Sequence, residues 1–271
     1  MFTLVLIIGL TIVLVTGVVI NTTMKAYDQG WRPTPNGVLP PRKLPQEYIE
    51  PIQKYFSYYH WLTEHQKQVF LHRVALFIQS KKFVARGDLK EVTPLMVALI
   101  SATAVMLTMG LPPITYRTFQ RILVYPTDYY SQINRQYHKG EVNMRHRIII
   151  LGWSHFVDGL KDRYDGINLG IHELAHALHL EDRIRNREHD FLHEGLLMHM
   201  QHQAYGEIRK ILSGEDHLFR PYAAKNEEEF FAIALENFFE RPQEFRDDLP
   251  QLYRIICALL QQDPAERRIL T

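Results

Sequence analysis

The chain has 271 residues, 46% of them hydrophobic, enough for the core of one domain with an appendage. Its 31 Lys and Arg against 30 Asp and Glu leave a net charge of +1, a balance that lacks the electrostatic footprint of a nucleic-acid-binding protein. The single cysteine, Cys257, excludes an intramolecular disulfide framework, and its place in an apolar carboxy-terminal helix predicts a buried structural thiol.

Residues 2–20 carry no charged side chain and are nearly long enough to cross the ~30 Å hydrocarbon layer as a helix. No Lys or Arg precedes this run and no clear small-residue cleavage site follows it, which argues against a cleaved signal peptide. We expect one amino-terminal transmembrane helix, an anchor formed by residues 1–22. Lys25, Arg32, Arg42 and Lys43 all follow the span. On the positive-inside rule they place the rest of the chain on the cytoplasmic side of the cell inner membrane. Pro33, Pro35, Pro40, Pro41, Pro45 and Pro51 then predict an extended juxtamembrane tether over residues 23–59, ahead of a domain spanning 60–271.

Thr63-Glu-His-Gln66 has the form of a capping box that opens a helix through about Ser80. Residues 95–111 lack charge but are diluted by Ser101, Thr103 and Thr108 and stopped by Pro112-Pro113, so they read as a buried core helix rather than a second span. Two β-rich runs, Phe119 to Tyr125 and Arg147 to Trp153, predict strands of a small sheet. The second is either a plain core strand or a sheet edge able to pair with an extended peptide backbone.

Asn168 to Leu180 contains His172-Glu173-Leu-Ala-His176. Ile171, Leu174, Ala175 and Leu178 recur at helical spacing, with Asn168 as N-cap, and leave the two histidines off the buried stripe. Side chains four apart lie one turn above each other, so both imidazoles can reach one zinc ion while Glu173 reaches that ion's water as general base. Glu181 to Asp216 reads as a charged helical surface segment. Asn226 to Glu240 is a strong helix with Phe230, Phe231, Ala234, Phe238 and Phe239 on one face and Glu229, Ile233, Glu236 and Glu240 on the other. Glu229 is a candidate third ligand, although Asn226 and Glu229 also fit a capping pair, and helix physics leaves the two roles open.

Several spaced motifs together resemble the zinc peptidases typified by Mlc titration factor A, a family similar to minimal gluzincins. They are Leu62-Thr63-Glu64, Leu123-Val-Tyr-Pro126, the Asn168–His176 segment, Tyr222-Ala-Ala followed by Glu229-x-Phe-Ala232, then Glu236, Phe238-Phe239, Pro242 and Gln261-Gln-Asp-Pro264. The resemblance covers residue 60 to the end. It implies His172, His176 and Glu229 as ligands of one zinc ion per chain, Glu173 as general base and Tyr222 as an active-site tyrosine. It also implies an α+β zincin-like domain with a small β-sheet packed on helices, acting on a peptide or protein substrate. Glu236, two turns beyond Glu229, either orients a ligating imidazole or is solvated. His179 stands where the type member has an acidic residue. That member binds a transcriptional repressor, so the alternative expectation is a membrane-held protein that sequesters a regulatory partner with little peptidase activity.

Overall fold

Burial of apolar side chains organises the chain from Leu44 onward. The computed structural model describes residues 43–131, 135–185 and 191–270. The expected membrane span at residues 2–20 lies outside them. Among the described residues no helix is long and apolar enough to cross a membrane.

The extended tether expected up to residue 59 does not hold where the structure describes it. Gln46–Tyr55 forms helix α1 and Ser57–His60 a short α2, with Pro51 inside α1. A proline there costs about 3 kcal/mol, but Leu44, Ile52, Phe56, Tyr58 and Tyr59 are all buried, at roughly 1.5–3 kcal/mol for each large apolar side chain. Packing therefore overrides the local signal. The Tyr58 hydroxyl donates to Gln262 Oε1 at 2.6 Å, and Gln262 Nε2 donates to the Met106 carbonyl at 2.9 Å, tying this segment to the far end of the chain.

Helix α3, Glu64–Ser80, starts at the expected capping box: Thr63 Oγ1 accepts from Gln66 N and Gln66 Oε1 accepts from Thr63 N. Helix α4, Pro94–Leu107, is the predicted core helix. Thr93 caps it, and every residue from Met96 to Leu107 is buried. It packs against α1 and α3 and behind the helix that carries the histidine pair.

Both expected strands form, slightly shorter, as β2 (Arg121–Tyr125) and β6 (Ile148–Gly152). Between them in the chain run β3 (Tyr129–Ser131), β4 (Gln136–His138) and β5 (Gly140–Asn143), and β1 (Lys82–Ala85) precedes β2. The main sheet has the order β1-β2-β6-β5, with β1, β2 and β6 parallel and β5 antiparallel to β6. Thus β6 is an interior strand, and its role as an edge for an incoming backbone is excluded: β2 and β5 already pair with its two sides. The outer position beside the histidine helix belongs to β5. Ile122, Val124, Ile149 and Leu151 face the helices, while Leu123, Ile148 and Ile150 form a small cluster with Tyr129 on the other face.

The rest is helical: α5 (Trp153–Lys161), α6 (Leu169–Arg185), α7 (Glu194–Leu212), a 3-10 turn at Pro221–Ala224, α8 (Glu227–Glu240), α9 (Pro242–Asp248) and α10 (Pro250–Leu260), before a hairpin of β7 (Gln262–Asp263) and β8 (Arg268–Ile269). The segment after Leu180 carries the expected surface helix in α7, where only Met200 and Ala204 are buried, but its start is drawn inward. Glu181 and Asp182 are buried, and they accept hydrogen bonds from the amides of Thr118 and Leu192. Cys257 is buried in α10, and burial pushes its thiol up to about 12, in keeping with a structural role. The mixed architecture is α+β, as expected.

Candidate active site

Helix α6 carries the histidine pair, and its amino end is set by one residue. Asn168 Oδ1 accepts from Ile171 N, while Asn168 Nδ2 donates to the Gly159 carbonyl and to Glu240 Oε1. This side chain therefore caps α6 and links it to α5 and α8. Ile171, Leu174, Ala175 and Leu178 face the core, as their spacing predicts. His172 and His176 are left partly open on the opposite side.

Helix α8 packs along α6. Its phenylalanine face and its acidic stripe are both almost wholly buried, because the stripe faces α6 rather than solvent. Asn226 caps α8 by accepting from Glu229 N, so the capping reading is right for the backbone of Glu229. The side chain of Glu229 is free of that task. Its Oε2 lies 3.1 Å from His172 Nε2 and 3.5 Å from His176 Nε2, and the two Nε2 atoms are 3.1 Å apart. Donors around a tetrahedral zinc with bonds of about 2.0–2.2 Å stand roughly 3.3–3.6 Å from each other. Oε2 is buried and makes no well-formed hydrogen bond. Two imidazoles and a carboxylate converging at these separations, with an orphaned buried oxygen among them, fit a divalent metal ion.

The surrounding groups prepare the donors. Glu236 is only 1% exposed, and its Oε1 takes the His172 Nδ1–H at 2.8 Å, which turns Nε2 towards Glu229 Oε2. Arg220 grips both Glu236 oxygens, at 2.7 and 3.1 Å, and the Asn168 amide donates to Oε2 at 2.6 Å. The solvated reading of Glu236 is therefore wrong. Burial works against a charge on His172, but Glu229 and Glu236 outweigh it and raise its pKa to about 10. Burial likewise favours a protonated Glu229, yet the contacts with His172 and His176 win and hold it well below the usual carboxylate range.

Glu173 is buried beside the pair, and burial raises its carboxyl against the pull of His172 and His176. Its carboxylate abuts β5 at Gly140, where an added Cβ would lie 2.7 Å from both Cγ and Oε1 of Glu173. Tyr222, 48% exposed, donates to Glu229 Oε1 at 3.1 Å and accepts from Lys225 Nζ at 2.7 Å. All five singled-out residues, His172, Glu173, His176, Tyr222 and Glu229, thus lie in one place. The sequence reading missed Arg220, Lys225 and Gly140. Lys225 stands four residues before Glu229, a spacing that does signal a helical ion pair, whereas Arg220 and Gly140 carry no local signal.

The chain matches the family described as glucose-regulated metallo-peptidase M90 over residues 30–261. It is 28% identical to an uncharacterized protein of Synechocystis over 230 residues, covering 79% of this chain and 83% of that protein. It is 27% identical to Mlc titration factor A of Yersinia pestis over 228 residues, covering 76% and 81% respectively, and matches the protein of that name from Yersinia pseudotuberculosis equally well. The chain belongs to the M90 metallo-peptidase family.

Proposed function

We propose that this M90-family chain is a zinc-dependent peptidase in which His172, His176 and Glu229 hold one ion and Glu173 is the general base. The observation that carries the reading is the convergence of three donor atoms within 3.5 Å of one another, with His172 oriented by Glu236. Zinc bound there would supply Lewis-acid polarisation of the scissile carbonyl.

The protein's own groups do the rest. Glu173, confined between α6 and Gly140, takes the proton of the attacking water and returns it to the leaving amine. Its raised proton affinity suits this exchange. Tyr222, half exposed beside the donors, would turn its one O–H from Glu229 Oε1 to the developing oxyanion, with Lys225 left on Oε1. An extended substrate lies along β5, the edge strand of the sheet that touches Glu173. Residues 1–22 anchor the domain to the inner membrane on its cytoplasmic side, with the remaining stretch up to Lys43 as the connection.

The test is Glu173→Gln, which keeps the metal donors intact. Hydrolysis of a peptide substrate should fall about 10²–10⁴-fold, the usual worth of a general base, with zinc still bound equimolar to protein. Unchanged hydrolysis would remove Glu173 from the mechanism, and a parent protein that takes up no zinc would remove the metal site. A second reading, in which the chain holds a regulatory protein without cutting it, is favoured by the name Mlc titration factor A. It predicts a cellular effect that survives Glu173→Gln.

A further inference from the structure

The two oxygens of Glu229 have separate occupations. Oε2 faces the Nε2 atoms of His172 and His176. Oε1 is turned away from them and accepts from Lys225 Nζ at 3.1 Å and from the Tyr222 hydroxyl at 3.1 Å. Lys225 also donates to the Tyr222 oxygen at 2.7 Å and lies 4.7 Å from the centre of that ring. The three side chains form a closed triangle at the start of α8, on a backbone held by the Pro221–Ala224 turn and the Asn226 cap.

We infer that Lys225 is a positioning residue: by occupying Oε1 it makes Glu229 a one-oxygen ligand and keeps a coordination position open for water and substrate. The inference rests on the metal reading given above. A carboxylate presented to a small divalent ion can bind through one oxygen or through both, and the second mode uses up the position that catalysis needs. Nothing in the helix itself enforces the first mode. The Lys225 ammonium does, because swinging Oε1 toward the ion would break its ion pair with the carboxylate and take from Tyr222 the acceptor of its hydroxyl. An ordinary exposed pair at this spacing restrains its carboxylate only weakly. Here the carboxylate is almost fully buried, the lysine holds two partners at once, and the hydroxyl shares the load.

Cobalt(II) substitution reads this directly, since visible d–d absorption is intense for a four-coordinate ion and weaker when a fifth donor joins. The full-length parent, Lys225→Met and Lys225→Arg would each be loaded with Co²⁺. Lys225→Met should bind the same amount of Co²⁺ with a weaker, shifted band, and Lys225→Arg, which restores donors and charge, should return the parent spectrum. Tyr222→Phe, which removes one of the two donors to Oε1, should fall between them. A Lys225→Met spectrum identical to the parent at equal loading would overturn the inference, as would weaker Co²⁺ binding with an unaltered band. If the parent itself takes up no Co²⁺, the metal site fails and this inference falls with it, a result distinct from both of those.

Discussion

Replacing Glu236 by Gln tests how far the site depends on a residue that touches no substrate. Four donors converge on its two oxygens: His172 Nδ1 and Arg220 Nη2 on Oε1, Asn168 N and Arg220 Nη1 on Oε2. A glutamine keeps the shape but exchanges one oxygen for an NH₂ group. Whichever way the amide is turned, two donors then face a donor in a buried place. Each orphaned group costs about 1–3 kcal/mol, and the Arg220 charge loses its counter-ion, so the loss of folding stability should be about 3–5 kcal/mol. With the amide NH₂ turned to His172, the orientation that keeps the acceptor for Asn168 N, the imidazole also loses the group that sets its tautomer, which lowers metal affinity about 10–100-fold, or roughly 1.4–2.7 kcal/mol. Urea unfolding of the chelator-treated protein measures the first quantity, and zinc competition against a chromophoric chelator measures the second. A variant with an unchanged midpoint and an unchanged zinc affinity would refute the account of Glu236 as the residue that orients His172.

Gly140→Ala would place a methyl group 2.7 Å from the Glu173 side chain and force the carboxylate aside; kcat/KM should drop about 10²-fold, as for a displacement near 1 Å at a reacting group, with zinc content unaltered, and normal turnover would show that Glu173 has room to adapt. Glu240 should leave a signature in stability against pH. Burial raises its carboxyl to about 8 in the folded protein, from 4.5, despite the hydrogen bond from Asn168. The folded state thus holds the proton more tightly than the unfolded chain, so this contribution is complete below about 4.5 and is lost as pH rises towards about 8. Glu240→Gln should flatten that part of the curve, by roughly 2–4 kcal/mol at its upper end; parallel curves for the parent and variant would exclude the effect.

Much of the molecule is legible locally. The capping box of α3, the uncharged run of α4 ahead of Pro112-Pro113 and the two β-rich runs each declare an element, because a helix or strand is written in its caps and in the period of its side chains. Where the local signal failed, long-range burial had reversed it. Residues 46–60 form α1 and α2 because Ile52, Phe56 and Tyr58 reach the core, and Glu181 and Asp182, at the head of the charged stretch after Leu180, are buried as acceptors for the amides of Thr118 and Leu192.

The site divides along the same line. By itself the sequence determined that His172 and His176 share one face of a capped amphipathic helix with Glu173 between them, since that follows from 3.6 residues per turn. For Glu229 the sequence left a choice between cap and ligand, and the packing of α8 on α6 decided that its backbone does the first while its side chain meets the imidazoles. Only the tertiary structure could decide that Glu236 is the buried acceptor of His172 rather than a solvated residue, bring Arg220 to it, set Gly140 against Glu173, and place β6 inside the sheet with β5 at the edge beside the histidine helix. Such partners are far apart in the chain, and periodicity reports which face a residue occupies but not what will be packed against that face.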